Sequence, residues 1–280
     1  MRIAICFSGQ IRTGIESSKN ILDYLDNLLP NIDFFIHTWD IETTSLYEVL
    51  KYENAIYKNG RLINDVNVPQ SFKISDNKIN NYLEIYKPKK YKIDDQQGYL
   101  NNVNYDYKLG ILEQYYSWNE SNKLKIEYEK ENNFIYDIVI KLRPDVIFSS
   151  KRKLIIDITK MNFNTRNLYV WRWNNICEDE MEKIEKLNYQ EGRILSKLED
   201  VYFLGNSEVM NIATNFVNDK PENFMKHIDR QILHYMYVTD REINIINLIS
   251  SDFTVFRYFQ IELQTKLKLD NIIKKRRTLI

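Results

Sequence analysis

The sequence predicts an α/β domain with a central, mostly parallel sheet flanked by helices, and three segments predict it. Arg2–Phe7 is a short apolar run that leads through a turn, Ser8–Gly14, into an amphipathic stretch starting near Ser17, which reads as strand, turn and helix. Asp33–Asp40 (Asp-Phe-Phe-Ile-His-Thr-Trp-Asp) is a second apolar run bounded by polar residues, placed to lie parallel to the first through a βαβ crossover. Tyr136–Leu142 is a third strand, and Arg143-Pro144-Asp145 ends it, because proline cannot donate to a central ladder.

The elements follow in order. Asn20–Leu29 carries Ile21, Leu22, Leu25, Leu28 and Leu29 at helical spacing, and Pro30-Asn31 stops the helix. Residues 41–105 are polar and rich in Asn and Tyr, with apolar bursts at Phe72–Ile74 and Tyr82–Tyr86, and predict short helices and loops with at most one strand. Lys108–Asn132 turns helical, with Leu109, Leu112, Tyr115, Tyr116, Leu124, Ile126 and Tyr128 mixed with charge. Strands are predicted at Leu168–Trp173 and Val201–Leu204, a helix at Ser207–Phe216 with Ser207 as its N-cap, a helix over about Glu222–Val238, and a further segment at Ile243–Ile249. No internal repeat is present. The chain reads as one continuous domain in two halves, residues 1–150 and 151–280.

Lys plus Arg equals Asp plus Glu at 39 each, so no global field steers the chain toward nucleic acid, and nucleic-acid binding is excluded from the expectations. Two cysteines, Cys6 and Cys177, stand far apart without CxxC spacing, as in a reduced cytoplasmic protein. No apolar run reaches the roughly 18 residues of a membrane span, and Met1-Arg2 leads straight into a strand, so neither a transmembrane helix nor a secretory leader is expected.

The Ser8–Gly14 turn, rich in donors and followed by a helix, suits an anionic ligand such as a pyrophosphate. It is neither a Walker A loop nor a GxGxxG fingerprint, since no Gly-Lys-Ser/Thr follows and its glycines, Gly9 and Gly14, are wrongly spaced. His37, Thr38, Trp39 and Asp40 end the second strand. In an open parallel sheet ligands bind beyond the carboxyl ends of the strands, so these four are expected beside the turn.

Three patterns agree in order and spacing: Phe7-Ser-Gly-Gln-Ile-Arg12, Phe35-Ile-His-Thr-Trp39 and Tyr136-Asp-Ile-Val-Ile-Lys-Leu-Arg-Pro-Asp145. In them the chain resembles the bacterial and viral polysaccharide-type glycosyltransferases with a GT-A-like, Rossmann-like fold. The resemblance covers about the first 150 residues and, more loosely, Glu199–Gly205. It implies a nucleotide-sugar-binding half at 1–150, and an acceptor-binding half with C-terminal helices at 151–280. It implies transfer of a sugar from a nucleotide-diphosphate donor to a glycan or lipid-linked acceptor in surface polysaccharide synthesis. Ser8, Gly9, Gln10, Arg12, Thr13, His37, Trp39 and Arg143 would then bind the donor, with Arg12 and the backbone N–H groups around Gly9 and Gln10 meeting the departing pyrophosphate.

Such enzymes commonly hold Mn²⁺ or Mg²⁺ through a DxD motif, and Arg143-Pro144-Asp145 stands in that place with arginine for the first carboxylate. Asp145 is then either a single hard oxygen ligand to the cation, or Arg143 replaces the metal by pairing with phosphate. A plain strand-end salt bridge between the two is the structural alternative. Glu199-Asp200 resembles the acidic pair that supplies the catalytic base of inverting members, with Asp200 as the candidate base. His227 is a weaker candidate for a metal or phosphate ligand. Lys274-Lys-Arg-Arg277, beside Ile272, Ile273 and Leu279, is suited to peripheral contact with an anionic membrane from the cytoplasmic side. Two rival readings remain. A phosphoadenosine-phosphosulfate-dependent sulfotransferase would use Arg12 for phosphate and His37 for catalysis, and a non-catalytic sugar- or nucleotide-binding domain would explain the missing carboxylate.

Overall fold

The computed structural model describes residues 1–43, 56–58, 61–63, 71–102, 112–146, 148, 153–154, 158–159, 161–170, 202–219, 234 and 237–247. The chain opens with β1 (Ile3–Ser8), buried along its whole length. Its period of two sends Ile3, Ile5 and Phe7 into one core and Ala4 and Cys6 into another on the opposite face, so the strand is covered on both sides. Helix α1 (Gly14–Leu25) follows, then a 3₁₀ turn at Asp26–Asn31 that contains Pro30. The helix starts well before the apolar pattern does, because Ser17 and Ser18 occupy its buried face. Their hydroxyls return to carbonyls, Ser17 Oγ to Pro144 O at 2.6 Å and Ser18 Oγ to Ile15 O at 2.6 Å.

Strand β2 (Ile32–Trp39) is followed by the short strands β3 (Ile41–Thr43), β4 (Ile56–Lys58), β5 (Arg61–Ile63) and β6 (Ser71–Lys73), which pair antiparallel as β3 with β6 and β4 with β5. Helix α2 (Asp76–Tyr86) is capped by Ser75, whose hydroxyl accepts the Lys78 N–H at 3.3 Å. Then come β7 (Lys90–Asp94), α3 (Gln96–Asn102), α4 (Leu112–Asn132) and β8 (Ile138–Leu142). The second half adds β9 (Asn167–Val170), β10 (Tyr202–Gly205), α5 (Ser207–Thr214), α6 (Phe216–Asp219) and β11 (Asn244–Asn247).

One seven-stranded sheet runs in the order β11-β9-β10-β8-β1-β2-β7, with strands from both halves of the chain. β7, β2, β1 and β8 are parallel neighbours, and within this sheet β10 alone runs against the rest. The predicted α/β class, a mostly parallel sheet flanked by helices, is the observed one. Residues of α1 and α2 pack into the core on one face, and those of α4 and α5 into the core on the other. From β1 the chain moves outward to β2 and β7, then returns to place β8 on the other side of β1. The crevice between the ends of β1 and β8 is therefore a topological switch point.

Two expectations are corrected. Residues 41–105, expected to hold short helices and loops with at most one strand, hold five described strands, β3–β7; β7 is hidden because as the edge strand its Lys-Tyr-Lys-Ile-Asp sequence offers no apolar run, and Lys90 and Lys92 lean instead on α4 carboxylates. The N-cap of α5 is Asn206, whose side chain accepts the Val209 N–H at 2.9 Å, while Ser207 is already helical. The predicted helix and strand spans over 171–201, 222–233 and 248–280 lie largely outside the described residues. Among the described residues no helix is long and apolar enough to cross a membrane.

Candidate active site

An open cleft of about 250 Å³ lies at the carboxyl ends of β1, β2 and β8, where the switch point predicts a ligand. Its walls come from the β1–α1 loop (Ser8, Gly9, Gln10, Arg12), the end of β2 (Trp39), β3 and β6 (Ile41, Ser71), α3 (Gln96, Gln97, Leu100), the first turn of α4 (Glu113, Gln114) and the β8 exit (Arg143, Pro144).

Backbone geometry shapes the first loop. Gly9 stands at φ +111 and Arg12 at φ 45, two left-handed positions within four residues of chain. Glycine takes such a conformation freely, whereas at Arg12 it costs about 1–2 kcal/mol. Ile11 between them is fully buried in the core, while Gln10 and Arg12 line the cleft. Gly14 then starts α1 where a side chain would press on Pro144 and Tyr82, each 3.0 Å from the position of a Cβ. Any side chain at residue 14 would force Pro144 or Tyr82 to give way by a few tenths of an ångström.

Across those lips two arginines share one carboxylate. Arg143 grips Asp145 with its planar fork, Nε to Oδ1 at 2.9 Å and Nη2 to Oδ2 at 2.8 Å, and Arg12 Nη1 lies 3.6 Å from the same Oδ2. Asp145 is 1% exposed, Arg143 12% and Arg12 24%, so the carboxylate sits beneath and the guanidinium groups reach the cleft. Beside them the Glu42 carboxyl is pushed up from its usual range by burial, against the pull of Lys78 at 2.8 Å and of Arg12. Ser8 lines the cleft, and its buried Oγ has no hydrogen-bond partner among the described residues.

A side-chain relay crosses the cleft floor. Arg12 Nε donates to Gln10 Oε1 at 3.1 Å, Gln10 Nε2 to Gln96 Oε1 at 2.9 Å, and Gln96 Nε2 to Glu113 Oε1 at 3.4 Å. Every donor points away from the cation and toward the carboxylate, which sets the orientation of both amides. Asp40 holds the relay from outside by accepting the Gln96 N–H at 3.1 Å. Glu113 is buried and is the acidic residue among the described lining residues of the cleft.

A second relay stands behind the wall. Gly9 N–H donates to Ser117 Oγ at 2.7 Å, Ser117 Oγ lies 2.7 Å from His37 Nδ1, and His37 Nε2 lies 3.1 Å from Asp94 Oδ2. Asp94 also accepts from Tyr116 at 2.9 Å and pairs with Lys92 at 2.8 Å. Burial lowers the His37 pKa despite Asp94, which keeps the ring neutral, with its Nε2–H on Asp94 and its Nδ1 accepting from Ser117. Asp94 is held well below the usual carboxylate range: the hydrogen bonds of His37, Lys92 and Tyr116 outweigh its burial.

The expected site residues now have places. Ser8, Gly9, Gln10, Arg12, Trp39 and Arg143 line one cleft. His37 does not: it is fully buried with both ring nitrogens engaged, so it positions Gly9 rather than meeting a ligand. The Gly9 N–H is likewise committed, to Ser117, and is not the phosphate donor expected of it. Thr13 starts α1 without a side-chain cap bond and stands off the cleft. Trp39 is 1% exposed, packed against the Tyr99–Tyr116 pair with ring centroids 5.4 Å from each, so it is wall rather than an open stacking face.

Asp145, expected to hold Mn²⁺ or Mg²⁺, has both oxygens in the Arg143 fork. Among the described residues no group of three His, Cys, Asp or Glu side chains is placed to hold an ion, so the described residues do not fit that cation. Glu199, Asp200, His227, Trp171, Trp173 and the basic segment Lys274–Arg277 lie outside the described residues. Sequence reasoning missed Ser71, Gln96, Gln97, Glu113 and Gln114, which come from the stretch without periodicity and from the polar start of α4.

Fold and cleft together define an α/β protein with an open cleft at a topological switch point. No protein-family model and no curated protein sequence matches the chain. Among solved structures it is similar to the galactosyltransferase LgtC in complex with donor and acceptor sugar analogues, with a TM-score of 0.39 and 11% identity over 85% of this chain and 70% of that one. It is similar also to mouse xyloside xylosyltransferase 1 (TM-score 0.40, 11% identity, 88% and 84% covered). A third similar structure is a nucleoside-diphosphate-sugar pyrophosphorylase from Vibrio cholerae RC9 (0.41, 10% identity, 94% and 98% covered). At these scores the likenesses carry no conclusion about substrate or mechanism.

Proposed function

We propose that the chain is a glycosyltransferase that moves a sugar from a nucleotide-diphosphate donor to a glycan or lipid-linked acceptor in surface polysaccharide synthesis. The observation that carries this reading is the cleft at the β1/β8 switch point with Arg12 and Arg143 on its two lips. When the bond from the sugar's anomeric carbon to the phosphate oxygen breaks, negative charge grows on the departing diphosphate, and two guanidinium groups held in a half-buried cleft stabilise it. The acceptor hydroxyl forms the new bond to that carbon and gives its proton to a carboxylate. Asp200, with Glu199, is the base that the sequence resemblance supports, and Glu113 is the carboxylate that the described cleft offers beside the same ligand.

The sulfotransferase reading loses its support, since His37 has no exposed atom with which to reach a substrate hydroxyl. A cytoplasmic location, with Lys274–Arg277 against the anionic inner face of the membrane where lipid-linked acceptors stand, completes the proposal; vesicle sedimentation with and without anionic lipid tests that part.

The main test is a thermal-shift screen with UDP-, GDP- and CMP-sugars and with phosphoadenosine phosphosulfate, followed by an assay for released nucleotide in the presence of acceptor glycans. A nucleotide sugar is expected to raise the melting temperature and to release its nucleotide. Stabilisation by phosphoadenosine phosphosulfate alone would overturn the proposal, and stabilisation without turnover would favour a binding domain.

A further inference from the structure

We infer that Gln96 is a positioning residue: through its buried amide, Arg12 on the β1–α1 loop and Glu113 on α4 fix each other's orientation across the cleft. The inference rests on the proposed function only for what those two residues do to a substrate.

The order of donors and acceptors carries it. A guanidinium only donates and a carboxylate only accepts, so a chain of two amides between them has one arrangement in which every contact pairs a donor with an acceptor. The relay has that arrangement: Arg12 Nε on Gln10 Oε1 at 3.1 Å, Gln10 Nε2 on Gln96 Oε1 at 2.9 Å, and Gln96 Nε2 on Glu113 Oε1 at 3.4 Å. Turning Gln96 over by itself would set Gln10 Nε2 against a second donor and Glu113 against a second acceptor. Turning both amides would set Gln10 Nε2 against Arg12. A change at either end is therefore felt at the other.

Gln96 is the member of the chain that the fold pins. It is the first residue of α3, and its own N–H donates to Asp40 Oδ1 at 3.1 Å. Asp40 is held in turn by its neighbours, its N–H on Asp94 O at 2.9 Å and its carbonyl accepting from the Ile74 N–H at 2.8 Å. Gln96 is 7% exposed and Glu113 3%, and in so dry a setting a misdirected amide leaves buried polar groups unpaired. Under the proposed function, the guanidinium that meets the departing diphosphate and the carboxylate beside the same ligand thereby keep one relative geometry, as catalysis by orientation requires.

Nuclear magnetic resonance on the full, ligand-free chain tests the coupling, with the Arg12 Nε–H as reporter. Glu113→Gln, three hydrogen bonds away along the relay, is expected to shift that resonance. Gln96→Met removes the link and is expected to abolish the response of Arg12 to Glu113→Gln. Gln96→Glu sets two carboxylates against each other and should displace the resonance. Combined with Glu113→Gln it puts an amide donor back opposite the new acceptor, and the double variant should return the resonance toward its wild-type position. Melting curves establish that each variant is folded before its spectrum is read.

A response to Glu113→Gln that persists in the Gln96→Met background would overturn the inference, since the field of the lost charge would then carry it through space. So would no response at all, or a double variant no closer to wild type than Gln96→Glu alone. Turnover of UDP- and GDP-sugars is measured on the same variants, and Gln96→Met is expected to lower it by about tenfold to a hundredfold. Full turnover in Gln96→Met would overturn the positioning role. Wild-type protein that turns over no nucleotide sugar would remove the glycosyltransferase reading, and the spectra would still decide the relay.

Discussion

Two clusters of charge flank β1, and they are built from the same kinds of side chain to opposite ends. Beneath Cys6, Lys125 of α4 is completely buried and its ammonium is saturated by Glu129 Oε2 at 3.0 Å, Ser207 Oγ at 2.5 Å and Asn211 Oδ1 at 2.8 Å. Glu129 in turn accepts from Ser207 at 2.8 Å and from the Tyr136 N–H at 3.0 Å. At the carboxyl end of the same strand, Arg12 and Arg143 share Asp145 but keep 24% and 12% of their side chains exposed on a cleft. The first cluster closes on itself and joins α4 to α5; the second presents its charge outward. Burial, rather than residue type, separates the cluster closed inside the protein from the one that borders the cleft.

The largest effect is expected where the saturated cluster is broken. Lys125→Met leaves Glu129 buried without its cation and should cost about 3–5 kcal/mol of stability in urea unfolding, with most of it recovered when Glu129→Gln is added. A loss as small in the single variant as in the double would show that the two charges are not coupled. Next in size, Arg12→Ala should weaken binding of the donor nucleotide by about 1.5–3 kcal/mol while leaving the urea midpoint close to wild type. If it destabilised the fold as Lys125→Met does, the contrast between the clusters would fail.

Acid separates the regions in another way. His234 donates Nε2–H to Ala213 O at 2.6 Å among the rings of Trp118, Tyr115 and Phe216, and burial lowers its pKa from 6.5 to about 3. Below pH 6.5 the unfolded chain therefore takes up a proton that the folded chain refuses. Stability should fall with pH by about 1.4 kcal/mol per unit from this residue, until the folded state protonates as well. His37 shifts in the same direction and for the same principal reason. His234→Gln should flatten the acid limb of a melting-temperature profile, and a wild-type profile level from pH 7 to about 5 would refute the assignment. The smallest effect belongs to a third cluster, Lys90 with Glu131 at 2.6 Å and Glu127 at 3.3 Å on the outer surface. Lys90→Ala should leave both the melting temperature and nucleotide binding unchanged, since solvent screens such pairs.

The β1–α1–β2 unit and β8 are legible in the sequence because each strand is covered on both faces, so an apolar run survives in residues such as Ile3–Phe7 and Ile138–Ile140. Arg12 and Arg143 are legible too, because the ends of neighbouring parallel strands must meet. Strand β7 is not, since an edge strand has no need of an apolar run; α4 is legible as a helix over Lys108–Asn132, but the face it buries is not. That helix buries Glu113, Ser117, Asn119, Glu120, Asn122, Lys125 and Glu129, with Asn119 and Asn122 bonded to residues of α5 and α6 and the turn between them, so no clean apolar stripe marks its buried side. His37 was misplaced for a related reason. The period of two on β2 turns Phe35, His37 and Trp39 toward α4, and only knowledge of Ser117 on that helix reveals that the imidazole has a partner inside the protein.

By itself, then, the sequence determined the alternation of strands and helices, the parallel neighbours of β1 and the loops at their carboxyl ends, because local periodicity and chain connectivity encode all three. Only the tertiary structure decided which polar groups those loops leave facing the cleft. The Gly9 N–H went to Ser117, the Asp145 oxygens to Arg143 and the His37 nitrogens to Ser117 and Asp94. Hydrogen bonds between residues distant in sequence leave no periodic trace along the chain, and a buried polar group takes whichever partner the packing brings within reach.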